Sequence, residues 1–253
     1  MKSKSQYNES YVYDASADER EASTIEPRFG RFLLSVAGTG HRVLDVGCGT
    51  GRYTIHTEHA GNDVVGIELV FNAARGARAR GLDVAVVDSE NVFPFPDATF
   101  DRVQCIEVIE HLMDPVTTLR EIHRVLRSDG ELFISTPNAA WWAHRTLMAF
   151  GVPSFGHSAA YPTEVNMHIR HFSMKTLTRF LEKSGFEVVR RQGTYTGFPG
   201  ALAEYAPRPV AAILNGISAI TRGLGFLAKQ NLLLSVTSAG LVLHARKQET
   251  RRG

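Results

Sequence analysis

A chain of 253 residues, 43% of them hydrophobic, can bury one substantial α/β core, and 28 basic against 26 acidic residues leave a formal net charge of only +2. That balance argues against a nucleic-acid partner: the basic runs sit at the termini (Lys2, Lys4; Arg246, Lys247, Arg251, Arg252), where solvated tails explain them. Two cysteines exclude a disulfide framework and suit a reducing compartment, and the polar start MKSKSQYNES lacks the apolar stretch of a secretory signal, so a cytoplasmic protein is expected.

Residues 1–17 read as a loose polar arm. From Asp18 to about Val36, Ile25, Phe29, Phe32 and Leu33 recur at helical spacing and predict an entry helix. Val43, Leu44, Asp45 and Val46 then run into Gly47, Gly49 and Gly51, which reads as a buried parallel strand, a tight turn and a helix start. Glycines let backbone approach a ligand closely, the helix start offers unpaired N–H groups, and Asp45 can attract a cationic group. A crossover helix over residues 52–60 closes at Gly61, and the second strand ends at Glu68. Seventeen positions after Gly51, Glu68 stands where an acidic side chain accepts two adjacent ribose hydroxyls in nucleotide sites of this geometry.

Residues 71–80 predict a second crossover helix, and residues 83–88 a third strand that carries Asp88 and Ser89 to the same carboxyl edge, within reach of an exocyclic amine. In FPFPDATFD (residues 93–101) alternate prolines stop any helix, while Phe95 and Phe100 anchor the turn. Strand four spans 103–106 and leads into Glu107, Glu110 and His111, whose spacing puts them on one face if the block is helical. Asp114 and Pro115 open a helix with Leu119, Ile122, Val125 and Leu126 inward and Gly130 as its stop; strand five follows at 131–135. Short connections between alternating strands and helices predict a parallel sheet covered on both faces.

Residues 139–172 break the alternation. Trp141, Trp142, Met148, Phe150, Phe155 and Tyr161 suggest an aromatic insertion over the carboxyl edge, ending in His168-Ile169-Arg170-His171-Phe172. Ser173 caps a further helix with Met174, Leu177, Phe180 and Leu181 inward, strand six spans 186–190, and a last strand lies at about 241–245. Between these two strands, apolar residues at helical spacing give a second cap over 195–230, with peripheral membrane contact through 207–230 as the sharper alternative.

VLDVGCGTG resembles the first motif of the class I S-adenosylmethionine-dependent methyltransferases. The dinucleotide fingerprint G-x-G-x-x-G places its third glycine one residue further on. FPFPDATFD and EVIEH extend the resemblance over about residues 40–190, towards the group that includes ubiquinone-biosynthesis methyltransferases. It implies a Rossmann-like three-layer sandwich: a mostly parallel seven-stranded sheet with an antiparallel last strand and helical cap insertions, as one methyltransferase domain over 1–253 with 1–38 as arm and entry helix. It also implies S-adenosyl-L-methionine as cofactor, bound by Asp45, Gly47, Cys48, Gly49, Gly51, Glu68, Asp88, Ser89 and Ile106. The expected reaction is O-methylation of a small molecule such as a sugar, phenol, quinone precursor or lipid-linked acceptor, and no nucleic acid is expected as partner.

Methyl transfer from a sulfonium asks mainly for alignment and water exclusion, with a base helpful for an oxygen nucleophile. His111 and His168 are the expected catalytic residues, since neutral imidazole accepts a proton near pH 7. His171 is a further candidate, and both histidines of the HIRHF segment could instead be structural. In ubiquinone O-methyltransferases and small-RNA 2′-O-methyltransferases, the Glu107, Glu110, His111 block resembles a divalent-metal site that His168 or His171 could complete. The same Glu-His pair also occurs in metal-free relatives, and the reading adopted is no metal. An NAD(P)-dependent oxidoreductase is disfavoured by the glycine spacing and by the lack of a Tyr-x-x-x-Lys pair. A non-catalytic cofactor-binding module is the third alternative.

Overall fold

The computed structural model describes residues 27–149, 168–194, 216 and 240–248. The order along the chain is α1 (Pro27–Ala37), β1 (Arg42–Val46), α2 (Thr54–His59), β2 (Asp63–Glu68), α3 (Phe71–Ala79), β3 (Asp83–Val86) and β4 (Phe100–Ile106). It continues with α4 (Pro115–Val125), β5 (Leu126–Pro137), α5 (Trp142–Ala149), α6 (Met174–Lys183), β6 (Phe186–Thr194) and β7 (Gly240–Lys247). One seven-stranded sheet runs β3-β2-β1-β4-β5-β7-β6. β1 pairs in parallel with both β2 and β4, while β7 is antiparallel to β5 and β6, as expected of a mostly parallel sheet whose last strand reverses.

The sheet separates two apolar layers because β side chains alternate. Leu44, Val46, Val103, Cys105, Leu132 and Ile134 point to the side where Leu119 and Ile122 of α4 and Leu177 and Leu181 of α6 are buried. On the other side Phe29, Phe32, Leu33 and Val36 of α1 meet Ile106, Phe133 and Val242. Phe133 receives Phe29 edge-on at 5.6 Å between ring centroids.

Several local expectations are met with small boundary changes. Asp114 accepts from the N–H groups of Val116 and Thr117 at the start of α4, where Pro115 has no N–H to satisfy. Ser173 and Thr176 form a reciprocal capping box at α6. Phe95 and Phe100 meet edge-on at 5.0 Å. Arg124 of α4 ties the proline turn down by donating to the carbonyls of Phe93 and Phe95 and to Asp97.

Two expectations need correction. Gly130 does not stop α4: the helix ends at Val125, and Gly130 lies within β5, where Phe100 pairs with Leu126 and Arg102 with Glu131, so the intervening residues bulge outward. Glu107, Glu110 and His111 do not share a helix. Glu107 takes φ +55° directly after β4 and breaks the run, because this turn must carry the chain over the carboxyl edge before α4 begins. The entry helix begins within the described residues at Pro27; residues 18–26, including Ile25, lie outside them, as do most of the cap at 139–172 and all but Gly216 of the cap at 195–230.

Candidate functional site at the sheet's carboxyl edge

The sheet order reverses between β1 and β4, and the crevice beyond their carboxyl ends is where open α/β sheets bind ligands. The glycine turn after β1 is held by four hydrogen bonds. Gly47 N and Cys48 N both donate to Ile67 O at 2.8 and 3.1 Å, Gly51 N donates to Cys48 O at 2.9 Å, and Gly49 N donates to Glu68 Oε2 at 2.9 Å. The three glycines have positive φ, +70°, +56° and +84° in turn, yet their surroundings differ. A Cβ on Gly47 would lie 2.5 Å from Val108 Cγ2, and one on Gly51 would lie 2.2 Å from Leu82 Cδ1. At Gly49 a Cβ would meet nothing within 4 Å among the described residues. Gly47 and Gly51 are therefore packing glycines, and Gly49 faces open space where a ligand can approach.

Asp45 is only 3% exposed. Thr54 Oγ1 and Gln104 Nε2 donate to its Oδ2 at 2.7 and 2.5 Å, and Oδ1 takes neither bond. Burial pushes its carboxyl up to about 6, partly offset by these two donors. Glu68 is buried at the end of the adjoining β2 and braces the turn with both oxygens, Oε2 receiving Gly49 N and Oε1 receiving Val70 N at 2.7 Å. Desolvation raises its pKa as well.

The other expected cofactor residues sit differently. Cys48 turns its sulfur towards Gly66 and packs with Ala74, Ala77, Leu82 and Val84, so only its backbone faces the turn. Ile106 packs in the α1 layer. Asp88 accepts from Glu90 N and Asn91 Nδ2, closing a small turn after β3, and Ser89 O is held by Thr118 Oγ1 at 2.8 Å.

Beyond β4 and β5 the edge is built from carboxylates and imidazoles. Ser135 Oγ donates to Glu107 Oε1 at 2.7 Å, and Thr136 Oγ1 donates to Glu110 Oε2 at 3.0 Å. Glu110 is 1% exposed, and its Oε1 takes no hydrogen bond from the described residues. Burial, with Glu107 nearby, holds the Glu110 carboxyl well above the usual range. Glu107 keeps contact with solvent, but protein crowds its carboxyl and desolvation raises its pKa too. His111 Nε2 lies 3.9 Å from Glu110 Oε1, and the His111 and His168 rings meet edge-on with centroids 4.9 Å apart. One donor atom from each of Glu110, His111 and His168 lies within 4.8 Å of the others, a set able to hold a metal ion.

The HIRHF segment is tied to both neighbouring loops. Ile169 N and Arg170 N donate to Glu110 O, the Arg170 guanidinium donates to Leu112 O and Met113 O, and Ala139 N donates to Phe172 O. His168 is thus brought to His111, while His171 is exposed. Sequence reasoning missed Thr54, Thr57 and Gln104 behind Asp45, Ser135 and Thr136 behind the two glutamates, and Arg170. It also missed His144, which stacks edge-on against Trp141 and whose pKa is lowered to about 4 by burial and by His168 and His171. The signal for Gln104 was a polar residue in an otherwise apolar strand. The others carried none.

Residues 16–191 match the family described as a methyltransferase domain. A ubiquinone biosynthesis O-methyltransferase of Xanthomonas oryzae is 32% identical over 151 residues, 57% of this chain and 61% of that protein. One from Xylella fastidiosa is 36% identical over 145 residues, 54% and 56% of the two chains. The chain thus spans about three fifths of the length of these curated relatives. Among solved structures, an S-adenosylmethionine-dependent methyltransferase from Archaeoglobus fulgidus superposes with TM-score 0.62 at 18% identity, covering 93% and 100% of the chains. A Haloferax volcanii putative methyltransferase complexed with the Trm112 activator gives 0.63 at 16%, covering 94% and 96%. At these identities the structural likeness speaks for the fold.

Proposed function

Because the chain belongs to the methyltransferase domain family, we propose that it binds S-adenosylmethionine across the glycine turn and methylates an oxygen of a small or lipid-linked acceptor beside His111 and His168. The observation that carries this reading is the turn at Gly49, which follows Asp45 of β1: Gly49 gives its N–H to Glu68 Oε2 and alone among the three glycines of the turn would have a Cβ meeting nothing within 4 Å among the described residues.

The residues fit the cofactor. Asp45 Oδ1, not used by Thr54 or Gln104, suits an ammonium group. Glu68 Oε2 accepts from Gly49 N and Oε1 from Val70 N, and a carboxylate with two lone pairs on each oxygen has acceptor capacity beyond these that suits a ribose hydroxyl. When bound, the cofactor supplies a methyl group on a positive sulfonium, open to attack by an oxygen nucleophile. His111 or His168 then takes the proton of the acceptor hydroxyl onto its imidazole, and the aromatic segment around Trp141 and Trp142 limits water at the edge. Support for oxygen as the methylated atom comes from the ubiquinone O-methyltransferases at 32–36% identity.

A second reading of the same edge is favoured by one observation, the buried Glu110 Oε1 that has no hydrogen bond among the described residues and lies beside two imidazoles. A divalent cation held by Glu110, His111 and His168 would orient the acceptor hydroxyl and lower its pKa. Chelator-treated protein separates the two. Full turnover with no metal retained assigns His111 the role of base, whereas loss of turnover restored by one divalent metal assigns it that of ligand.

The experiment that tests the function is transfer of labelled methyl groups from S-adenosylmethionine into extracts separated into soluble, lipid, protein and nucleic-acid fractions. Label in the soluble or lipid fraction is expected. Label confined to protein or nucleic acid would overturn the acceptor class.

A further inference from the structure

Behind the glycine turn, three side chains form one buried chain of hydrogen bonds that ends on Asp45. The sheet register sets Gln104 of β4 directly beside Asp45 of β1, with both side chains on the side of the sheet where α2 lies. Thr57 Oγ1 of α2 donates to Gln104 Oε1 at 2.8 Å, and Gln104 Nε2 donates to Asp45 Oδ2 at 2.5 Å. Thr54, one turn earlier on α2, donates to that same Oδ2 at 2.7 Å. All four residues are 3% exposed or less. Asn62 Nδ2 in turn holds the Thr57 carbonyl at 2.9 Å.

A glutamine in the middle of a buried strand is expensive unless both ends of its amide are paired. Here they are: the Asp45 carboxylate, which only accepts, takes the NH₂ end, and the Thr57 hydroxyl donates to the oxygen end and so holds the amide plane against rotation. With the amide oxygen engaged by Thr57, the NH₂ is turned to the carboxylate. Two donors converging on one oxygen fix the plane of the carboxyl group and favour its ionised form against burial.

We propose that Gln104, oriented by Thr57, is a positioning residue that together with Thr54 holds Asp45 so that its Oδ1 receives the ammonium group at the amino-acid end of the cofactor. The inference rests on the S-adenosylmethionine reading above. It predicts a division of labour: the Thr57–Gln104–Asp45 chain serves the amino-acid half of the ligand, and Glu68, with its own backbone partners, serves the nucleoside half.

Two ligands that differ only in that half provide the test. S-adenosylhomocysteine carries the ammonium group, whereas 5′-methylthioadenosine keeps the nucleoside and thioether and lacks the amino-acid end. Binding of both is measured by calorimetry on the full chain for wild type, Gln104→Leu, Thr57→Val and Thr57→Ser. Gln104→Leu is expected to weaken S-adenosylhomocysteine roughly tenfold or more while 5′-methylthioadenosine changes by less than about twofold, the difference expected when a hydrogen bond to a charged group is lost. Thr57→Val, which keeps the side-chain shape, should show a smaller loss of the same selectivity, and Thr57→Ser should restore it.

In Gln104→Leu the Asp45 carboxyl titrates higher, so S-adenosylhomocysteine affinity should recover as pH rises. Equal weakening of both ligands, or no weakening of S-adenosylhomocysteine in either Gln104→Leu or Thr57→Val, overturns the proposal while leaving the cofactor reading in place. Wild-type protein that binds neither ligand removes the cofactor reading and the proposal with it.

Discussion

Replacing Asp45 with Asn should stabilise the ligand-free protein and at the same time disable it. Burial lifts the Asp45 carboxyl from its ordinary 3.8 to about 6, and each unit of pKa corresponds to about 1.4 kcal/mol, so keeping it ionised at pH 7 costs the fold about 3 kcal/mol. Asn can place its oxygen where Oδ2 now lies and retain the bonds from Thr54 and Gln104. For a chain of this length, Asp45→Asn should therefore melt roughly 5–10 °C above wild type at pH 7.

The sign follows from a folded pKa that is raised. The stabilising contribution of the protonated carboxyl is complete below pH 3.8 and is lost as pH climbs through about 6, so the gap between variant and wild type should close towards pH 4 and be full by pH 7. Melting curves of both proteins across that range, with and without S-adenosylhomocysteine, measure it. At a hundred times its dissociation constant the ligand should add about 2.7 kcal/mol to wild type and almost nothing to the variant. An Asp45→Asn protein less stable than wild type at pH 7, or a gap independent of pH, would refute the reasoning.

Four further outcomes follow from the same geometry. Gly51→Ala should lose about 2 kcal/mol or more in urea unfolding, because its Cβ would come within 2.2 Å of Leu82 at φ +84°. Gly49→Ala meets open space and should lose only about 1 kcal/mol, from φ +56°, yet weaken S-adenosylhomocysteine more than Gly51→Ala does in calorimetry. Arg170→Met frees the carbonyls of Leu112 and Met113 and loosens the turn that carries His111; kcat should fall roughly ten- to hundredfold with S-adenosylhomocysteine affinity unchanged. Ser173→Ala breaks the capping box of α6 and should cost about 1 kcal/mol in the unfolding midpoint without altering methyl transfer, since the cap touches neither the glycine turn nor His111.

The glycine turn was readable because three requirements converge there on residue types that few other contexts select: buried strand, positive φ and close approach. Glu68 was readable from its place at the end of the next strand. The condition that Glu107, Glu110 and His111 share a helical face is not met because spacing at helical period is also compatible with a turn, and the positive φ of Glu107 is imposed by the need to leave β4 and reach α4. Gly130 misled for a related reason: a glycine after an amphipathic run looks like a helix stop, but the pairing of Leu126 with Phe100 had already started β5.

By itself the sequence determined the alternation of strands and helices, the glycine turn after β1 and the acids at the strand ends, because each of these is encoded in local periodicity and backbone chemistry. Tertiary structure decided which of those groups meet. Glu110 gathers with His111 and with His168 from 58 positions away, and Gln104 stands beside Asp45 from 59 positions away, contacts set by sheet register and by the docking of the HIRHF segment on Glu110 O. Pairings at such separation depend on how strands align once the core closes, and no local pattern carries that information.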